Sequence, residues 1–393
     1  MIDSIYIATS GLQGFETGLQ NISGNTTNLN TPGFKESTTQ FADLFYKGGL
    51  SDGSQPNAGQ VGVGLQTLGT KINFAQGQFQ STSNNLDLAV DGRGYFVLKG
   101  SDGNIHYTRD GEFQFDSSGN LVSSTNGQAV MALDSSGNLQ PITLNTLTTG
   151  PAKTTTTVTF TGNLSSTATS DSINNVTVID GNGTSHKLSL SFVPVSGSPG
   201  NWSVTVKDGA TTVGTGNIAF SSGQPVSGST TISLTYSPSG AAAMPLTLDF
   251  SNNVTSFDSG TSSTLAVNSQ DGHASGALLS ETFDTSGTLQ LKYSNGQTVK
   301  TQQLALAQFS SQDDAKQVSS NEFDAVQGHT WLLGVAGANG FGNIQAGEVE
   351  MSNVDLSQQF STLVIMQRGY QASSQIITTA NDMMTQLFGM VGK

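Results

Sequence analysis

Both ends of this chain carry the same uncommon pattern, apolar residues at heptad spacing with almost no charge around them. Near the start they fall at Ile5, Ala8, Leu12, Phe15, Leu19, Ile22 and Leu29, with Thr26 in the remaining slot. Steps of three and four keep one helical stripe facing a partner. A second stripe of small or polar residues runs beside it through Ser4, Gly11, Gly14, Gly18, Asn21, Asn25 and Asn28, with Ile7 among them. Small side chains admit another backbone, although each interior glycine costs a helix about 1 kcal/mol relative to Ala. Pro32 and Gly33 then end the helix.

The far end repeats the design. Leu356, Leu363, Tyr370, Ile377, Met384 and Val391 form one heptad column, and Phe360, Gln367, Ser374, Asn381 and Phe388 form the other. Three successive polar core slots make a poor self-contained coiled coil. From Val354 onward the only charges are Asp355, Arg368, Asp382 and Lys393, whereas a solvated helix normally carries Lys and Glu on its outer face. Helices packed on a core of their own chain, or partly disordered tails, would satisfy the pattern; a second arrangement buries the helices between copies of the chain. The scarcity of charge favours the second, in which the helices order only when identical neighbours supply the missing surface.

Composition narrows the classes further. A chain of 393 residues with 28 acidic and 14 basic side chains has a net charge of -14, which argues against nucleic acid or an anionic membrane as partner. The absence of cysteine removes disulfides, thiol catalysis and Cys-ligated metal. No apolar run reaches the roughly 20 residues of a membrane span. The N-terminus lacks the basic and apolar regions of a cleaved signal peptide, so export is expected by a route that needs none.

From about residue 71 to 344 the chain reads as β-structure, in short spans rich in Val, Phe, Leu and Thr. One turn unit occurs three times, as Phe115-Asp-Ser-Ser-Gly-Asn-Leu121, Leu133-Asp-Ser-Ser-Gly-Asn-Leu139 and Phe283-Asp-Thr-Ser-Gly-Thr-Leu289. Asp accepts local backbone hydrogen bonds, and Gly supplies the left-handed conformation of a tight hairpin. Each unit has one carboxylate and lacks the ligand series of a calcium loop. Composition shifts near residue 146 and returns near 271, which predicts one β domain inserted into another.

The expected fold class is α+β. Terminal helices at 1–32 and 350–393 form a coiled-coil domain, joined through connecting segments at 33–70 and 346–349. A discontinuous β domain at 71–145 and 271–345 carries an inserted outer β domain at 146–270, both mainly antiparallel.

No catalytic, cofactor-binding or metal-binding residues emerge. His106, His186, His273 and His329 are scattered, read as solvated strand or loop residues, and no pair has helical metal-ligand spacing. Neither a Ser-His-Asp arrangement nor an acidic pair stands in a signature context. A secreted adhesin would fit the β-rich, acidic middle but not the matched heptads at both ends, and a β-rich extracellular hydrolase requires a carboxylate pair or nucleophile that the sequence does not show.

Asn25, Asn28, Asn30, Thr31, Pro32, Gly33, Phe34 and Lys35 resemble the N-terminal motif of the bacterial flagellar rod and hook proteins. Gly24, Thr26 and Thr27 depart from it, standing where Asn, a hydrophobe and Ala are usual. Near the other end, Glu350-Met-Ser-Asn-Val-Asp-Leu356, with Ser352, Asn353, Val354 and Asp355, and Gln367-Arg-Gly-Tyr-Gln-Ala372, with Arg368 and Tyr370, are similar to that family's C-terminal signature. Gln359 and Ser373 replace its customary Glu and Asn. Residues 85–97 and 107–113 resemble the shared β-domain pattern. The insert around Thr161-Gly-Asn-Leu-Ser165, Asp180-Gly-Asn-Gly and residues 270–278 is similar to that of the hook branch; a distal-rod subunit is the other member considered.

The resemblance implies a structural subunit that is not an enzyme. Copies would self-polymerise into a curved tube, with the heptad and motif residues above at the interface, as a universal joint passing torque from the basal body to the filament. It also implies the distal rod, hook-cap and hook–filament junction proteins and the flagellar export apparatus as partners, no membrane insertion, and an extracellular place in the flagellum.

Overall fold

The computed structural model describes residues 2–44, 46–47, 61–319 and 321–391. Residues 48–60 of the expected connecting segment lie outside the described residues. The protein is mostly β, with one helix at each end and largely antiparallel sheets.

Helix α1 runs from Ile2 to Thr27, and helix α2 from Leu356 to Val391. α1 gives way to a turn at residues 28–32. There Gly33 adopts φ +71°, and a Cβ on it would meet the Asp110 amide nitrogen at 2.4 Å, so only glycine fits. α2 starts on a carboxylate cap, since Asp355 Oδ1 accepts the amides of Ser357 at 2.8 Å and Gln358 at 3.2 Å.

Two compact units divide the chain. The first comprises residues 1–145, 281–290 and 300–393. Besides the helices it holds an antiparallel hairpin of Ser37–Asp43 with Leu65–Ile72. Its largest sheet runs Ala315–Gln317, Glu322–Ala325, Ile105–Thr108, Tyr95–Lys99, Ala129–Leu133, Leu121–Ser123 and Phe113–Phe115, with antiparallel neighbours. Alternation along these strands sends Tyr95, Val97, Tyr107 and Phe323 into an aromatic core with Trp331. Trp331 stacks on Tyr107 at a centroid distance of 4.1 Å.

The second unit comprises residues 146–280 and 291–299. An antiparallel meander of Asp171–Ile179, Ser185–Pro194, Asn201–Asp208 and Thr211–Ser221 forms one sheet. In the other sheet Thr157–Asn163 lies parallel to Met244–Asp249 and Val254–Thr255 and antiparallel to Ala266–Gln270. Inward residues of both sheets, among them Phe160, Leu190, Trp202, Val204, Leu246 and Phe250, make one continuous core. Gly216 lets the layers close, for its Cβ would sit 2.5 Å from Ile232.

The repeated turn folds as its chemistry requires. Asp116 Oδ1 accepts the amides of Ser118 and Asn120, and Asp134 Oδ1 those of Ser136 and Asn138, all at 2.8 Å. Asp284 does the same for Ser286 and Thr288 at 3.0 Å. The unit at Asp180 is a fourth of this kind, with Asn182 and Thr184 as donors.

Two histidines differ from the solvated expectation. His106 and His186 are largely buried, and they meet Asp324 at 2.7 Å and Asp180 at 2.9 Å. His329 meets Asp314 at 2.7 Å and is exposed. The alternating burial of strand Ser185–Pro194 draws the His186 ring inward beside Asp180, and on strand Ile105–Thr108 the part-buried His106 ring lies beside Asp324.

Candidate functional site

The helices lie antiparallel, with glycines on both sides of the contact. A Cβ on Gly369 would strike the ring of Phe15 at 2.5 Å, and one on Gly11 would meet Ser373 Oγ at 2.8 Å. Gly18 faces Met366 in the same way at 3.0 Å, and Asn25 reaches Gln359. The adjoining face of α1 rests on the hairpin, where Gly14 faces Leu65 and Phe41. Ser10 Oγ accepts the Leu65 amide at 3.1 Å, and Asn21 bonds Thr39 and Ser37. The small-residue stripe is therefore the packed one. Its glycines let α1 touch two neighbours at backbone distance.

The expected heptad residues divide between contact and surface. Ala8 and Ile22 are buried, while Ile5, Leu12, Phe15, Leu19 and Leu29 are half-buried. On α2, Leu363, Ile377 and Met384 are half-buried beside the seam. Leu356, Phe360, Gln367, Tyr370, Asn381 and Phe388 are exposed in the single chain. The second column within the chain runs one residue earlier, through Gln359, Met366, Ser373 and Ala380. A glycine-faced partner accommodates small and flexible side chains there.

The two terminal motifs converge where the helices meet the β-structure. Asn25 is buried; its amide donates to Ser37 O at 2.8 Å and to Gln359 Oε1, and its oxygen accepts the Ser37 amide. Asn28 bonds Gly24 O and Thr31 Oγ1, closing the end of α1, while Asn30 is exposed. Phe34 O accepts the Asn353 amide, and Ser352 Oγ accepts the Val354 amide. Asn353 Oδ1 accepts the Glu36 amide at 2.8 Å, while its own amide bridges Asn73 O and Ala75 O. Gln359 donates to Glu36 Oε2 at 3.1 Å, and Asn73 donates to Oε1 of the same carboxylate. By contrast Gln367, Arg368 and Tyr370 face outward.

Beneath this amide layer lies an ionic joint. Glu350 and Lys35 have 0 % side-chain exposure and form a short ion pair. Glu350 Oε2 accepts Arg109 Nη1 at 2.9 Å, and its Oε1 also accepts the Gly77 amide at 2.9 Å. Lys35 Nζ donates to Ala75 O, and Arg109 donates to Val90 O and Gly92 O. The Arg109 guanidinium sits 4.9 Å from the centroid of the Tyr95 ring. Burial pushes the Lys35 pKa down, opposed by the attraction of Glu350. The joint fastens five separate stretches of chain at one point, at residues 35, 75–77, 90–92, 109 and 350. Sequence reading missed it, although Lys35, Arg109 and Glu350 are rare charges inside quoted motifs of a chain that is only 11% charged.

Among the described residues no group of three or more His, Cys, Asp or Glu could hold a metal ion. No described helix is long and apolar enough to cross a membrane.

Residues 89–166 match the family described as flagellar hook protein FlgE/F/G D1 domain, and residues 345–390 that of the flagellar basal body rod FlgEFG protein C-terminal region. The flagellar hook protein FlgE of Salmonella typhimurium is 31% identical, with 98% of each chain covered. Those of Escherichia coli and Borreliella burgdorferi are each 30% identical, again over 98% of this chain and over 98% and 99% of theirs. In fold, the chain is similar to the crystal structure of Helicobacter pylori flagellar hook protein FlgE2, with a TM-score of 0.50 and 14% identity, covering 69% of this chain and all of that one. A likeness that runs from one terminal motif through the middle to the other has one reading: the chain belongs to the flagellar hook protein FlgE family, a family of structural proteins.

Proposed function

We propose that this hook subunit polymerises through its paired terminal helices, residues 1–32 and 350–393, which act as an inner coiled-coil domain. The supporting observation is the outward face of α2. Phe360 is 53% exposed, Ile365 64%, Phe388 69% and Met390 76%, with Val364, Ile376 and Leu387 also exposed. Such a face on a helix with two described charged residues past its cap, Arg368 and Asp382, is a contact surface rather than a solvated one. α1 starts beside the Ala380–Met383 turn, where Ser4, Ala380 and Met383 line one apolar hollow. The last two turns of α2 thus run on past α1 for about 12 Å. The expected heptad residues that stay exposed in the single chain, Leu356, Phe360, Tyr370, Asn381 and Phe388, then meet other copies.

In this reading residues 71–145 with 271–345 form a β domain outside the helices. Residues 146–270 form an outer domain inserted into it. The assembled tube bends as a universal joint and passes torque to the filament. The ionic joint supports that role, because it ties the helix pair to the β-structure of the first unit through buried charges. The rod below, the cap and junction proteins above, and the export apparatus are its partners. Electron microscopy of the purified chain tests the reading: short curved tubes are expected, straight rigid ones would indicate a rod subunit, and lasting monomers would refute polymerisation.

A further inference from the structure

An open cleft of about 310 Å³ lies beside the ionic joint. Its lining includes Tyr95, Phe309, Gln308, Gln312 and two arginines, Arg93 and Arg109, and no acidic residue. Arg109 is already shared with Glu350, but so is Lys35, so by formal charge the buried triad keeps one positive charge in excess. Arg109 Nε is buried without a hydrogen-bond partner. Arg93 adds a second positive charge. It is exposed, and it forms no ion pair among the described residues. Its backbone is fixed, since Arg93 O accepts the Gly342 amide at 2.7 Å. A cationic, aromatic-walled cleft is thus held open in a chain whose net charge is -14.

We propose that this cleft is a carboxylate receptor, and that an Asp or Glu side chain of a second copy occupies it through Arg93. This rests on the homopolymer reading. Charge complementarity argues for it, because a subunit with 28 acidic side chains presents carboxylates to its neighbours but few cations to receive them. Arginine suits the task, since its planar fork takes both oxygens of a carboxylate. The neighbouring Tyr95 and Phe309 rings displace water and strengthen the pair.

Polymerisation of the full chain with Arg93→Gln, Arg93→Glu and Arg93→Lys tests the inference. Arg93→Gln is expected to raise the critical concentration for assembly about tenfold at low salt, Arg93→Glu more and Arg93→Lys less. The differences should shrink near 1 M salt, where the screening length falls to about 3 Å. In a Trp202→Phe background, Trp331 fluorescence of the isolated chains should not change, because the Arg93 side chain makes no hydrogen bond, ion pair or ring contact among the described residues. Equal assembly of wild type and Arg93→Gln at every salt concentration would overturn the receptor while leaving the polymer. Failure of the wild type to assemble would remove both. A disturbed Trp331 signal in Arg93→Gln would make Arg93 a folding residue and also contradict the inference.

Discussion

The side-chain amide of Asn25 donates to Oε1 of Gln359 at 3.2 Å, across 334 positions of sequence. Gln359 in turn donates to Glu36, whose carboxylate accepts from the Gln359 and Asn73 amides and forms no ion pair among the described residues. A neutral residue at 359 is therefore part of the design, although the family motif customarily has Glu there. Ser373, the other departure, leaves room for the Gly11 contact.

Gln359→Glu is expected to set two buried carboxylates against each other and to lower stability at neutral pH by about 1–3 kcal/mol. Repulsion raises the pKa of one carboxyl, so the lost stability should return as pH falls and that group takes up a proton. The difference in Tm between variant and wild type, followed from pH 8 to pH 4, checks this.

Removing the hub anion should cost more than removing one of its cations. Glu350→Gln leaves Lys35 and Arg109 facing each other inside the protein, with an expected loss of about 3–5 kcal/mol. Lys35→Met leaves the Glu350–Arg109 pair in place and should cost less. Urea unfolding of both variants in a Trp202→Phe background, where Trp331 is the remaining tryptophan, ranks them.

Two glycines of α2 give opposite expectations for one substitution. Alanine favours a helix over glycine by about 1 kcal/mol. At Gly389 nothing lies within 4 Å of an added Cβ, so Gly389→Ala should stabilise α2. At Gly369 the added carbon strikes the Phe15 ring, so Gly369→Ala should loosen the helix pair. Helical melting by circular dichroism of the two variants separates the effects.

These contrasts mark what was legible in the sequence. Helices at both ends, the column Leu363, Ile377, Met384 and the Asp-Gly turns follow local rules of period and backbone geometry. The second column of α2 stands one residue before the expected one, because Gln359, Met366, Ser373 and Ala380, which face the glycine stripe, are small or flexible, and hydrophobic spacing does not report that. The meeting of Arg109 with Glu350 across 241 positions is a product of tertiary folding, with no local signal beyond the rarity of charge.

In the second unit, burial pushes the Asp271 carboxyl up, but hydrogen bonds from Thr157 and Thr156 and the Lys153 ammonium overcome it and hold the pKa at about 2. With the folded pKa depressed, its contribution is present above the unfolded value of about 4 and is lost as pH falls through about 2. Asp271→Asn should therefore be less stable than wild type at pH 7 and show a shallower loss between pH 4 and 2. Thermal unfolding across that range tests the sign.

The central claim concerns the exposed face of α2, and hydrogen exchange tests it most directly. Amide protection across residues 360–390 should be compared between the dilute single chain and assembled tubes. Strong added protection on assembly is predicted, together with loss of assembly but unchanged β-sheet protection in Phe360→Ser/Phe388→Ser. Full protection of α2 in the dilute chain, unchanged at assembling concentrations, would contradict the claim.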